Sequence, residues 1–327
     1  MLRCRFQPIS RETDIMKLTI VATMYNSARY IDEFCHRISK VIEGITNDFE
    51  IILVDDGSPD ESLEIAKKIA AKQAKMCVVE LARNHGHHRA MMIGLEQSKG
   101  EYVFLTDIDL EEAPENLTHF WQSMSENPDL DLVYGIQDKK ETPFVRKVLS
   151  RAFYGVFNSL SDIRVPNTEL VSRLMTRKFV ESLLDYKEKS IFLPAIWTDV
   201  GYKRMSISLE KTFNGNSSYT LTKRIVLAVD ALTSFSAKPL VFVFYCGVSV
   251  SFLASMLIAF LIFDKLFYDS PLLGWTSLIA SVLLMGGLIL FSLGVIGIYI
   301  SKIFLEVKSR PNSIVRRVHY FDEPSHD

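Results

Sequence analysis

Between residues 17 and 136, short apolar runs alternate with longer stretches whose apolar residues recur every three or four positions. The runs KLTIVATMY (17–25), EIILVDDGS (50–58), CVVELA (77–82), EYVFLTD (101–107) and DLVYGI (131–136) have strand length and β-branched cores, which predicts buried strands. SARYIDEFCHRISKVI (27–42), PDESLEIAKKIAAKQ (59–73) and ENLTHFWQSMSEN (115–127) have helical spacing. Strands apolar on both faces that alternate with helices predict an α/β domain, a mostly parallel sheet covered on both sides.

The pattern changes near residue 238. Residues 239–263 hold 25 positions without a charge, and residues 271–301 hold 31. A membrane-spanning helix needs about 20 such residues, so two spans are expected, at about 239–263 and 274–301. The short link DKLFYDS makes them a hairpin. Lys223, Arg224 and Lys238 flank it on one side, and Lys302, Lys308, Arg310, Arg316 and Arg317 on the other. Cationic flanks stay in the cytoplasm, which places the preceding domain there and makes the chain a multi-pass protein of the cytoplasmic (inner) membrane. The expected organisation is an N-terminal extension (1–16), an α/β domain (17–220), a juxtamembrane amphipathic helix (221–238), the hairpin (239–301) and a basic tail (302–327).

Composition narrows this picture. A formal net charge of -2 provides no field for nucleic acid. Cys4, Cys35, Cys77 and Cys246 show no metal-binding spacing and suit a reducing compartment. The first residues contain no apolar run of signal-peptide length. With Met16 inside them, they read as a loose extension or as sequence upstream of the true start.

Chemistry is expected where the strands end, because parallel sheets bind ligands beyond their carboxyl ends. MYNS, DDGS, RNHG and TDID all fall there. Neither a GxGxxG after the first strand nor a GxxxxGK[ST] is present, which removes the dinucleotide and P-loop readings. In TDIDLEEAPE (106–115), Asp107 and Asp109 sit one residue apart at the end of an apolar strand. Alternate residues of extended chain point the same way, so the two carboxylates can share a hard divalent cation. Such a cation completes its shell with water and phosphate oxygens, which implies a phosphorylated substrate, most simply a nucleoside diphosphate.

These motifs, in this order, resemble the family-2 glycosyltransferases of GT-A fold. The two C-terminal helices narrow the resemblance to the branch that acts on polyprenyl phosphates, dolichol or undecaprenyl. The matching segments are TIVATMYN, EIILVDDGSPDES, LARNHGHHRAMMIGL, GEYVFLTDIDLEEAPE, FNGNSSYTLTK, LTSFSAKPL and GVIGIYISKIFLEVKSRP. The resemblance implies inverting, metal-dependent sugar transfer from a nucleotide donor to polyprenyl phosphate at the cytoplasmic face, for cell-envelope glycans. Mg²⁺ or Mn²⁺ would be the cofactor, the bilayer a partner and a homo-oligomer a reasonable state. By position, Tyr25 and Asn26 line the nucleotide pocket, and Asp55 and Asp56 meet base and ribose. Arg83 and Asn84 lie near the donor, Asp107 near the nucleotide sugar, and Asp109 ligates the metal. Arg173, Ser217 and Tyr219, with Arg146 and Arg151, would face the lipid phosphate.

The chain departs from the family pattern at several positions. Thr23 replaces a usual proline, Ser27 a glutamate, Gln137 an arginine and Ser218 a lysine. Val171 replaces an aspartate sometimes proposed as the base, which leaves Glu169 and Asp199 as substitute carboxylates. A lipid phosphate lowers the need for a base, because its second pKa near 6 leaves it largely ionised at neutral pH. The same loss admits a degenerate scaffold or a lipid-glycan translocation partner on this fold. A processive synthase is disfavoured, since none of the three tryptophans follows an arginine as QxxRW requires.

Two other segments carry charge. RNHGHHRA lacks the i,i+4 histidines of helical zinc sites and reads as a donor-side loop. DKKETPFVRKVLSRAFYGVF (138–157) reads either as an amphipathic helix on the sheet or as a surface helix beside anionic headgroups. Gly286, Gly287, Gly294 and Gly297 are expected to permit close helix packing.

Overall fold

The computed structural model describes residues 17–73, 75–137, 155, 168–189, 191–210, 233, 236–268, 274–311 and 313–320. Its centre is β1 (Leu18–Met24), whose seven residues are all buried. β1 pairs in parallel with β2 (Phe49–Asp55) and β4 (Tyr102–Asp107), and β2 pairs in parallel with β3 (Met76–Leu81). These four strands are the apolar runs predicted from the sequence, and they put the acidic ends of β2 and β4 on either side of β1.

The sheet continues to eight strands in the order β7-β5-β6-β4-β1-β2-β3-β8. β5 (Leu132–Ile136) is the fifth expected strand. β6 (Glu169–Thr176) runs antiparallel between β4 and β5, and β7 (Arg204–Ser208) pairs in parallel with β5. Strand side chains alternate between two cores, as the pleat requires. Leu18, Ile20, Ala22, Ile51, Leu53 and Phe104 face one core, with α1 (Ile31–Glu43), α2 (Ser62–Ala70) and α4 (Asn116–Glu126) packed against it. Val21, Ile52, Val54, Val103 and Leu105 face the other, covered by α3 (His87–Gln97), α5 (Arg177–Leu184) and α6 (Leu193–Asp199). α1 shows how the sequence fixes this: Ile31, Phe34, Cys35, Ile38 and Ile42 recur at helical spacing and are all buried.

α7 (Lys238–Tyr268) and α8 (Trp275–Val307) are 31 and 33 residues long, with apolar windows of hydropathy 2.2 that are nowhere buried in the chain. Both are long and apolar enough to cross a membrane. α8 runs past the expected limit at 301, and its 33 residues exceed the roughly 30 Å of a hydrocarbon core. Its far end meets the α/β domain, where the Lys189 amide donates to Glu306 Oε1 at 2.6 Å. A Cβ added at Gly286, Gly287, Gly294 or Gly297 would meet nothing within 4 Å, so these glycines are not close-packing points among the described residues.

The basic tail expected over 302–327 is corrected. Residues 302–307 complete α8, and Val315–Tyr320 form β8, antiparallel to β3 at the sheet edge. The physical reason is a buried acid on β3. Glu80 receives Arg316 Nη1 and His319 Nε2 at 3.0 Å each, with Lys67 Nζ at 3.8 Å. The extension 1–16 and most of the juxtamembrane helix (221–232, 234 and 235) lie outside the described residues, as do 138–154 and 156–167.

Candidate active site

A cleft of about 410 Å³ opens beyond the carboxyl ends of β1, β2 and β4. β1 supplies Thr23 and Met24, and the turn after it Tyr25 and Ser27; β2 leads to Asp56, and β4 to Asp107, Ile108 and Asp109. The fourth wall is the loop after β3 and the start of α3, with Asn84, Gly86, His87 and Ala90. Five predicted donor-site residues therefore come together: Tyr25, Asp56, Asn84, Asp107 and Asp109.

Register explains why the acids meet Thr23. β1 and β4 align Thr23 with Asp107, and the Thr23 hydroxyl donates to Asp107 Oδ1 at 2.8 Å. His87 Nε2 lies 3.5 Å from Asp107 Oδ2, and His87 Nδ1 3.4 Å from Thr23 Oγ1. A proline at 23 has no hydroxyl for this bond, so the departure from the family pattern has a structural use. After the strand, the Glu111 amide donates to Asp109 Oδ1 at 2.9 Å, and Leu110 takes φ 58°. That short polar turn fixes the second carboxylate on the same side of the cleft.

Asp55 and Asp56 have separate tasks. The Asp55 carboxylate receives the Ser58 amide at 3.3 Å and closes the DDGS turn. Asp56 accepts the His85 amide at 2.7 Å and the Gly86 amide at 3.0 Å, which ties β2 to the loop after β3. Burial raises the pKa of both carboxyls, and these amides offset part of the rise. Gly57 makes the approach possible: at φ 68° its Cα lies so close to the next loop that a Cβ would fall 2.6 Å from the Arg83 carbonyl carbon and the Asn84 nitrogen.

The other expected residues stand outside the lining. Asn26, at φ 54°, donates its amide to Ser58 Oγ at 3.2 Å and shapes the turn that presents Tyr25. Arg83 is exposed. Arg173 differs from the expectation of an acceptor contact. It is 0% exposed, its guanidinium stacks on Trp197, and Nε and Nη2 donate to Val171 O and Leu170 O. Burial pulls its pKa down to about 9 against the opposing pull of Glu169 and Glu112. Two of its nitrogens hold its own strand, while Nη1 is buried without a hydrogen-bond partner among the described residues. Glu169 is paired with Arg204 at 3.3 Å, and burial raises its pKa despite Arg173 and Arg204. Asp199 receives the Tyr186 hydroxyl at 2.9 Å at the end of α6, away from the cleft lining. Ser217, Tyr219, Arg146 and Arg151 fall outside the described residues.

Thr23, Ser27 and His87 were not read as site residues from sequence. Their signals were present in the substitutions at 23 and 27 and in the histidines of RNHGHH. Glu112 was also unassigned: buried, it accepts the Val171 and Ser172 amides at 3.2 and 2.8 Å. One acid of TDIDLEEAPE is thus structural and binds β6.

Two cleft carboxylates of hard oxygen character suit a divalent cation whose remaining ligands are water and phosphate oxygens. Among the described residues no group of three or more His, Cys, Asp or Glu side chains could hold a metal by itself. A pair of hard carboxylates fits a cation that shares its shell with a diphosphate.

The model of Glycosyl transferase family 2 matches residues 19–188, more than half of the chain. A Mycobacterium tuberculosis protein named among the glycosyltransferases is 38% identical over 314 residues, covering 95% of this chain and 92% of that one. The glycosyltransferase YkcC of Bacillus subtilis is 31% identical over 305 residues, with 92% and 94% covered. The bactoprenol glucosyl transferase of Shigella phage SfII is 28% identical over 306 residues, with 93% and 99% covered.

Proposed function

Because the chain belongs to glycosyl transferase family 2, we propose that it moves one sugar from a nucleoside-diphosphate donor to a polyprenyl phosphate, with inversion, at the cytoplasmic face of the membrane. The observation that carries this reading is the pair Asp107 and Asp109, held by Thr23 and the Asp109 turn across one cleft from Tyr25 and Asp56. The polyprenyl acceptor is supported by the likeness to a bactoprenol glucosyl transferase over nearly the full length of both chains, together with two helices apolar enough to span a membrane.

In this reading Tyr25, half exposed at the cleft mouth, offers a ring face to the base. Asp56, with Asp55 buried behind it, accepts from an N–H of the base and from the ribose hydroxyls. Asp107 and Asp109 would hold Mg²⁺ or Mn²⁺, which would supply positive charge to the departing diphosphate. His87 lines the same space at the start of α3, where a helix N-terminus favours anions. Asp107 is oriented by Thr23, so the carboxylate keeps one direction as charge develops.

Val171 in place of an acid is consistent with a nucleophile that needs no base, since a phosphate monoester is already ionised at neutral pH. Arg173 is fully buried and spends Nε and Nη2 on carbonyls of its own strand. Arg146 and Arg151, with Ser217 and Tyr219, are the proposed acceptor contacts.

The test uses the full chain in lipid nanodiscs with undecaprenyl phosphate, Mg²⁺ or Mn²⁺ and a panel of UDP- and GDP-sugars. Lipid-linked sugar and its anomeric configuration are measured. Transfer that falls more than about 10²-fold in Asp109→Ala supports the assignment. Full activity in that variant sinks the metal role. Nucleotide binding without turnover of any donor favours the scaffold alternative.

A further inference from the structure

β8 follows the second apolar helix in sequence, yet it reaches the donor cleft through an unbroken chain of hydrogen bonds. The Ala82 amide donates to Ile314 O at 2.9 Å, and Arg316 Nη2 donates to Ala82 O at 3.1 Å. The Ile314 amide donates to His85 Nε2 at 3.3 Å. One bond further on, the His85 and Gly86 amides hold both oxygens of Asp56, at 2.7 and 3.0 Å. Asp56 and Gly86 are cleft walls.

Resting on the transferase reading above, we propose that β8 is a working part of the donor site and that His85 is the positioning residue through which it acts. His85 does not line the cleft. It fixes the loop after β3 from behind, so that two consecutive amides point at Asp56. The bond from Ile314 requires a lone pair on Nε2, which puts the imidazole proton on Nδ1. Burial, reinforced by the neighbouring Arg83, keeps the His85 pKa below its ordinary value and so favours this neutral form. Glu80 anchors the arrangement from the other side of the strand through Arg316 and His319. The segment that enters β8 leaves α8 only a few residues earlier. The position of the second apolar helix and the shape of the nucleotide pocket are therefore linked by covalent chain and five hydrogen bonds.

The experiment measures the dissociation constants of UDP and GDP with Mn²⁺ for the full chain in nanodiscs. Its variants are His85→Ala, His85→Gln, Ile314→Pro and the double variant H85A/I314P. Ile314→Pro deletes the amide hydrogen and keeps the carbonyl, and a glutamine can place an acceptor oxygen near the Nε2 position. His85→Ala and Ile314→Pro should each weaken the tighter-bound nucleotide about tenfold, the range of one lost bond plus a loosened loop. The double variant should match His85→Ala within about twofold, because both changes remove the same bond. His85→Gln should recover most of the loss. Glu80→Gln, which loosens β8 without touching the loop, should weaken binding in the same direction, with melting temperatures as the control for folding. Single-variant effects that multiply in the double variant, or variants that bind as wild type does, overturn the coupling alone. A wild-type chain that binds neither nucleotide overturns the transferase reading and this inference with it.

Discussion

At the residue scale, the cleft depends on how a carboxylate is held as much as on its presence. Asp107 was legible from sequence because two acids at the end of an apolar strand repel one another without a cation. Thr23 was not legible, since a threonine in a buried strand is ordinary, and only the β1–β4 register shows that its hydroxyl meets Asp107. Thr23→Val removes that hydroxyl while keeping shape and strand preference. Sugar transfer should fall by about tenfold in kcat/KM, the equivalent of one neutral or charge-assisted bond. Thr23→Ser should recover most of the loss. Equal activity in Thr23→Val would show that Asp107 needs no orienting partner. Gly57 is a second residue with a single cause. Gly57→Ala forces a Cβ into the Arg83–Asn84 backbone at φ 68°, and thermal unfolding should register a loss of at least about 2 kcal/mol.

At the element scale, legibility follows burial pattern. β1 to β5 were readable because continuous apolar runs leave few alternatives. β6, ELVSRLMT, hides its identity behind Ser172 and Arg173, both buried, one hydrogen-bonding Thr106 and the other stacked on Trp197. β8, VRRVHY, has the composition of a solvated tail, and Glu80 on the facing strand accounts for Arg316 and His319. Glu112→Gln tests the first of these. It leaves a neutral amide facing two β6 amides that now donate to a carboxylate, and should cost about 2 kcal/mol, roughly 4–8 °C in melting temperature for a domain of this size. The Glu80 cluster predicts a pH response. Burial acts to raise the Glu80 pKa, but the bonds from His319 and Arg316, with Lys67 nearby, outweigh it and leave the pKa below the ordinary value. A carboxyl depressed in the folded state stabilises it fully above its unfolded pKa of about 4.3, and that contribution fades as pH falls through the folded value. Hydrogen-exchange protection of β8 amides, taken relative to the intrinsic rate at each pH, should therefore fall below about pH 4 before that of the β1–β2–β4 core. Simultaneous opening of β8 and core would remove the role of Glu80.

At the scale of the whole molecule, β8 constrains topology in a way that charge counting does not. β3 precedes both long apolar helices in the chain and β8 follows both, yet the two strands are hydrogen-bonded neighbours. If the helices cross a bilayer, they must cross it an even number of times, or the sheet would be split between compartments. The strand pairing puts both ends of the helix pair on one side by a route independent of charge, and the cytoplasm is the side proposed for them from the cationic flanks. A cysteine-free chain carrying a single cysteine at Lys68, on α2, or at Ser309, just beyond α8, should react with an impermeant maleimide from the same face of sealed, oriented vesicles. A cysteine at Ser270, in the link between the helices, should react from the opposite face. Labelling of Ser309 and Lys68 from opposite faces would require β8 to leave β3 in the membrane. Labelling of all three from one face would mean that the helices lie along the bilayer surface without crossing it, and the hairpin reading would fall while the α/β domain and its cleft stood unchanged.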